Sequence, residues 1–264
     1  MKQMLLALWA YRFFIVSSIK TEFKTRFARS KIGGFWMVIH PLAQVLVYAL
    51  ILSQIMKAKL PEVQTQYAYP IYILSGILAW TLFSDILTRS LNVFINNANL
   101  LKKMAFPKLS LVLIAIGIAL INFILFMLVM FVVFAFLGHL PYHALYWLPL
   151  LIGITLVLAT GIGLFLGVLN VFIRDIGQIM EVVMQFWFWL TPIVYMTSIV
   201  PQKYHTLFML NPMTGIVEGF QNILLYDKAP NFGHLFYPAV FALCSLFLAM
   251  LLFYRAREEM TDVL

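Results

Sequence analysis

Charge is scarce in this sequence. Asp, Glu, Lys and Arg make up 11% of 264 residues while hydrophobic residues make up 63%, and the mean hydropathy is +0.95. Soluble domains carry about 25% charged residues, so an ordinary soluble domain is excluded and the solvent is a bilayer. At about 20 apolar residues per crossing, the length allows roughly six spans with their connections. Cysteine is nearly absent: Cys244 stands alone in an apolar run, which rules out an intrachain disulfide and a thiolate metal site. No GxxxxGK[ST] phosphate loop occurs, so the chain has no recognisable nucleotide site of its own. The ten acidic residues are scattered from Glu22 to Asp262. No two fall on adjacent turns of one span, which argues against a membrane enzyme with clustered catalytic groups. Clear internal repeats, which a secondary transporter tends to show, are also missing. His139 and His143 have a spacing a metal could use, but two ligands do not make a site.

The charges that are present read as topology. The net charge of +8 points to nucleic acid only until its sources are placed along the chain. With six spans, one side collects Lys2, Arg12, Lys20, Lys24, Arg26, Arg29, Lys31, Arg89, Lys102, Lys103, Lys108, Arg174, Arg255 and Arg257. The other side receives Lys57, Lys59, Lys203 and Lys228. Fourteen against four puts both chain ends in the cytoplasm by the positive-inside rule. Nucleic acid is not needed to explain the excess.

In order, the chain reads as one all-α polytopic unit over 1–264. Lys2 and the apolar run to Ser18 look like a secretory leader. Arg12 interrupts that run, and no small-residue cleavage pattern follows, so the stretch is expected to be kept. Residues 1–34 include a basic amphipathic helix with Ile19, Phe23 and Phe27 on one stripe and Lys20, Lys24, Arg26, Arg29 and Lys31 around it, expected to lie in the interface. Spans are predicted over about 35–56, 70–89, 109–137, 144–171, 178–196 and 235–254. The second carries Asp85 and Arg89 at i, i+4, able to neutralise each other. In the fourth, Ala159, Gly163 and Gly167 recur every fourth residue and allow a close helix neighbour. Between the last two spans, 197–231 is broken by Pro201, Asn211-Pro212 and Pro230 and reads as a re-entrant hairpin.

The stretch 96–108 is the most informative. It interrupts two apolar runs with Asn97, Asn99, Lys102, Lys103 and Lys108, set among Leu100, Leu101, Met104 and Phe106, and is stopped near Pro107. Such a segment at the water boundary either presents apolar knobs to a soluble motor or is a basic connector held at lipid headgroups. Glu181, about two turns from Arg174, either pairs with it or faces protein or water. Phe186, Trp187, Phe188 and Trp189 surround one helix and either stack on sugar faces or pack against lipid and protein. Glu218 falls in the broken region.

These residues resemble a family: the membrane subunits of ATP-binding-cassette exporters of cell-surface polysaccharides, including O-antigen, capsule and teichoic acid permeases. The resemblance rests on six motifs in order. They are Arg29-Ser30-Lys31-Ile32-Gly33-Gly34-Phe35-Trp36 followed by Pro41-Leu42, the Asn97 to Pro107 stretch, Leu169-Asn170-Val171-Phe172-Ile173-Arg174-Asp175-Ile176, Thr191-Pro192-Ile193-Val194-Tyr195, Asn211-Pro212, and Glu218. It implies a homodimer of six-span subunits served by a homodimeric cytoplasmic ATPase, which would hold the ATP and magnesium. It further implies export of an undecaprenyl-diphosphate-linked polysaccharide, O-antigen first, across a bacterial inner membrane. On this resemblance Asn97, Leu100, Leu101, Lys102, Lys103, Met104 and Phe106 form a coupling helix, and Lys20, Lys24, Arg26 and Arg29 gate the lipid diphosphate. Phe186, Trp187, Trp189 and Tyr195 line the conduit, and 197–231 supplies an external gate. Asp85, Arg89, Arg174, Glu181 and Glu218 are expected as buried polar groups. Where relatives often carry arginine after the Asn-Pro, Gln221 stands instead. The same architecture exporting a small drug or lipid, and an ion-driven flippase, remain the alternatives.

Overall fold

The computed structural model describes residues 9–27, 36, 39, 42–43, 47, 67–103, 106–197 and 201–263. The described elements are helical: α1 (Arg12–Phe27), α2 (Ala68–Asn96), α3 (Ala98–Lys103), α4 (Leu109–Phe136), α5 (Leu148–Phe172), α6 (Asp175–Trp189), α7 (Gln202–Met209), α8 (Pro212–Leu224), α9 (Phe232–Ala256) and α10 (Met260–Val263). A 3-10 turn, Leu145–Trp147, leads into α5.

Four helical stretches among the described residues are long and apolar enough to cross a bilayer: Ala68–Asn96, Leu109–Phe136, Leu145–Phe172 and Phe232–Ala256. The third and fourth predicted spans agree with the structure to within a residue or two. Between them Gly138 takes a left-handed φ of 72°, the conformation that glycine adopts without a Cβ clash. Two of the six predicted spans do not stand among these four. The first, 35–56, lies outside the described residues except for isolated positions. The fifth, 178–196, corresponds to the shorter helix α6, which has 15 residues, about 22 Å of helix at 1.5 Å per residue. Its apolar text runs on to Met196, but Thr191 precedes Pro192, a position that disfavours helix, and proline has no amide to extend the ladder.

The bundle is built around α2 and α5. α2 packs on α4, α5 and α8, and α5 packs on α2 and α9. The small residues of α5 set these approaches. A β-carbon at Gly163 would lie 2.9 Å from the Leu87 carbonyl oxygen, and one at Gly167 would lie 2.5 Å from that of Ser90. These two glycines therefore bring the α2 backbone close, while Gly161 faces Ser245 and Leu246 of α9. α8 meets α9 by a related device. Pro238, inside α9, cannot donate to the carbonyl four residues back at His234, and Gly215 rests against that same carbonyl.

Candidate functional site

At the C-terminal end of α2, Asn97 ends the helix. Its amide donates to the Val93 carbonyl at 2.8 Å, while its own carbonyl accepts the Leu100 and Leu101 amides and starts α3. The face that α3 turns outward differs from the expected set of apolar knobs. Leu101 is buried, Leu100 is half-buried, and Asn99, Lys102 and Lys103 are exposed. Phe106 is half-buried with its ring 5.7 Å from Phe14 of α1. Met104 lies outside the described residues. Asn99 is absent from the expected coupling residues, because six residues of helix do not reveal which side is covered.

Helix α1 lies against α4. Phe14, Ile19 and Phe23 pack on the core, and Ile19 fills the notch left by Gly117. Lys20 and Lys24 are exposed. Arg26 continues the helix, but its side chain, like all of Arg29, lies outside the described residues. A cleft of about 340 Å³ between α1, α2 and α4 is lined by Ser18, Glu22, Arg89, Asn96 and Asn97 on its polar side.

The predicted Asp85–Arg89 pair forms at 2.6 Å and has two further partners. Asn122 of α4 donates to the second Asp85 oxygen at 2.9 Å, and Glu22 of α1 stands 3.6 Å from Arg89. The pair thus joins three elements. Glu22 precedes Asp85 by more than sixty residues, so helical spacing could not indicate it. The two carboxylates are not equivalent. Asp85 is the close partner and one-quarter exposed, while Glu22 is 51% exposed. Changing Glu22→Gln leaves Arg89 neutralised and should cost about 0–1 kcal/mol. Asp85→Asn removes the near charge and an Asn122 acceptor and should cost ~1–3 kcal/mol. Thermal unfolding in detergent checks the order, which equal losses would contradict.

Arg174 and Glu181 are exposed on α6 and its N-terminal turn, and no ion pair joins them among the described residues; the buried-polar reading does not hold for this pair. The turn they flank is secured instead by Asn170, 1% exposed. Asn170 accepts the Gly177 amide at 3.0 Å and donates to the Leu91 carbonyl at 3.3 Å. Its place two residues before the end of α5, ahead of Arg174-Asp175, was the available signal. Glu218 is half-buried and meets the His234 ring nitrogen at 2.8 Å, joining α8 to α9.

The four expected conduit aromatics divide. Phe186 and Trp189 are 65% and 60% exposed. Trp187 is held inward, its ring 5.1 Å from Phe83 and its indole donating to Asn211 at 2.8 Å. Tyr195 donates its hydroxyl to the Trp189 carbonyl at 2.8 Å. Asn211 is a hub that sequence showed only as a turn: it also accepts the Met213 amide as the cap of α8 and donates to Thr191. Gln221 is buried and donates to the Pro192 carbonyl at 3.3 Å, so this position faces the α6–α8 junction.

On the opposite end lie the two turn histidines, and no group of three candidate metal ligands occurs among the described residues. His139 meets the Leu224 carbonyl, and the His143 ring meets Asp227 at 2.8 Å. Asp227 also accepts the amides of Tyr142, His143 and Ala144. Burial acts to raise its pKa, but the His143 ring and these amides outweigh burial and hold it at about 2, below the ordinary 3.8. Because the folded value is the lower one, this contribution is complete above about pH 4 and is lost as pH falls toward 2. Asp227→Asn should lower stability by ~1–3 kcal/mol at neutral pH. The gap between the two proteins should close as pH falls through that interval in thermal melts. A gap independent of pH would contradict the role.

A helical bundle with four stretches able to cross a bilayer among the described residues, and a short lysine-bearing helix at one end, is that of a multi-pass membrane protein. The sequence model of the ABC-2 type transporter family matches residues 14–225, and the chain belongs to that family. Its permeases lack a nucleotide-binding domain and pair with an ATPase. The chain is 26% identical over 257 residues to the O-antigen export system permease protein RfbA of Myxococcus xanthus, covering 97% of this chain and 96% of the relative. It is 26% identical over 205 residues to the protein of the same name from Klebsiella pneumoniae, covering 77% of each. With the polysialic acid transport protein KpsM of Escherichia coli it shares 24% identity over 239 residues, covering 90% of this chain and 91% of the relative.

Proposed function

We propose that this chain is the membrane-spanning subunit of an exporter of lipid-linked polysaccharide in a bacterial inner membrane, driven by a separate ATPase. Nearly end-to-end similarity to an O-antigen export permease supports the substrate class; the similar identity to a polysialic acid transporter leaves the polymer as O-antigen or capsule. The observation that carries the driven part of the reading is α3: a short helix under the central α2, with Lys102 and Lys103 exposed and Leu101 buried. A load applied to the exposed face is passed into the bundle by the buried residue. In this reading two copies assemble with both chain ends in the cytoplasm, and six spans per copy include 35–56 and the short α6. α7 and α8 form the external gate hairpin. Lys20, Lys24, Arg26 and Arg29 meet the diphosphate of an undecaprenyl carrier at the inner interface, and the outward Phe186 and Trp189, with Tyr195, lie along the polymer path. Aromatic faces suit a moving glycan because stacking on sugar faces carries little directional penalty.

The test is charge reversal at the grip. Lys102→Glu with Lys103→Glu should abolish co-purification of the ATPase encoded beside this chain while leaving membrane insertion intact, since Leu101 is untouched. Undiminished co-purification and export would remove α3 as the coupling helix.

A further inference from the structure

After α9 the chain enters a charged stretch, Arg255 to Glu259, in which Arg257, Glu258 and Glu259 are exposed. It does not trail into water. α10 turns back under the bundle and packs on α3 and on α5, and Met260 is completely buried at 0% exposure. Val263, the other apolar residue of this four-residue helix, is exposed, so the buried Met260 serves as its anchor.

Two further contacts bind the same corner. The Lys108 ammonium, just before α4, donates to the Arg257 carbonyl at the end of α9. Phe253 of α9 stacks on Phe94 of α2, with centroids 6.0 Å apart and planes 19° apart. Phe94 lies three residues before Asn97, where α2 gives way to α3. The short lysine helix therefore touches the bundle by three routes: backward through α2, forward through the Lys108 linker, and sideways through α10 to α5 and α9.

We propose that residues 257–263, anchored by Met260, form a strut that positions α3 and carries its displacement directly to the last span. This rests on the reading of α3 as the ATPase contact and extends it. Without the strut, α3 would act on the bundle through the buried Leu101 and its chain connections to α2 and α4. With it, α9 moves with α3 although well over a hundred residues separate them in sequence. Met260 is a positioning residue in this account and touches neither substrate nor ATPase.

The experiment uses the full chain with its ATPase in nanodiscs. Cys244, which is exposed, is first changed to serine, and a nitroxide is placed at Asn99→Cys on the exposed face of α3. Met260→Ser should raise label mobility and lower glycan exported per ATP hydrolysed by roughly 2- to 30-fold, the range over which residues linking two sites change coupling. Met260→Leu should restore both. Unchanged mobility and an unchanged ratio in Met260→Ser overturn the strut. If Met260→Ser does not assemble, Lys108→Gln decides, since it removes one contact and leaves the anchor: raised mobility supports the strut, and unchanged mobility overturns it. Failure of the wild-type chain to bind the ATPase would overturn the coupling reading instead, and the label mobility would still report on the strut.

Discussion

Gly167→Leu is expected to abolish recovery of the folded protein from membranes. A β-carbon there would lie 2.5 Å from the Ser90 carbonyl oxygen, 3.3 Å from that of Leu91 and 3.4 Å from the Leu91 Cα. All three atoms belong to the backbone of α2, so no side-chain rotation relieves the overlap. Overpacking in a core that can relax costs about 1–3 kcal/mol, and here one of the two central helices must move as a unit. α2 and α5 would separate, and with them the packing that seats α8 and α9. Gly153 of the same helix is the control: no heavy atom lies within 4 Å of an added β-carbon. Gly153→Ala should therefore be neutral or gain up to about 1 kcal/mol from helix propensity. Size-exclusion profiles after detergent extraction check both. A monodisperse Gly167→Leu protein would contradict the close-packed α2–α5 contact.

Replacing Lys20, Lys24, Arg26 and Arg29 together by glutamine should abolish export and leave insertion and orientation unchanged. Each basic residue near an anionic surface contributes about 1 kcal/mol. Four contribute ~4 kcal/mol, a loss of about three decades in occupancy by a diphosphate headgroup. Orientation survives because ten of the fourteen cations expected on the cytoplasmic side remain against four. The seat of α1 survives as well, since Phe14, Ile19 and the Glu22–Arg89 contact are untouched. Surface labelling of the polysaccharide reads export, and cysteine accessibility reads orientation. Normal export by a correctly oriented variant would remove these cations from the gate and leave them a topological role only.

The parts of this fold legible in sequence are those fixed by local chemistry. The uncharged run from Leu109 to Ile173, interrupted by Gly138-His139-Leu140-Pro141, had to be two spans and a turn. Asp85 and Arg89 at i, i+4 had to share a helix face, and their 2.6 Å contact follows. Gly163 and Gly167 announced a close neighbour, though nothing local says that it is α2. What stayed hidden was decided by distant partners. Hydropathy continues past Trp189, yet α6 stops there because hydrogen bonding, not apolarity, ends a helix at Thr191-Pro192. Four consecutive aromatics point to every side, and only distant partners hold two of them inward: Phe83 and Asn211 for Trp187, and Trp80 for Phe188. Leu101 and Lys102 are equally plausible grips in sequence; the covering of α3 from the side, which includes α10, separates them. Glu22 and Met260 act across more than sixty and one hundred residues, beyond the reach of any periodicity.

The most direct test of the account is ATP hydrolysis by this chain purified alone and together with the ATPase encoded beside it, each with and without lipid-linked glycan. The account predicts no hydrolysis by the chain alone, and hydrolysis by the complex that rises when the glycan is added. No association with the ATPase, combined with glycan movement that follows an ion gradient, would contradict it and make the chain an ion-driven flippase.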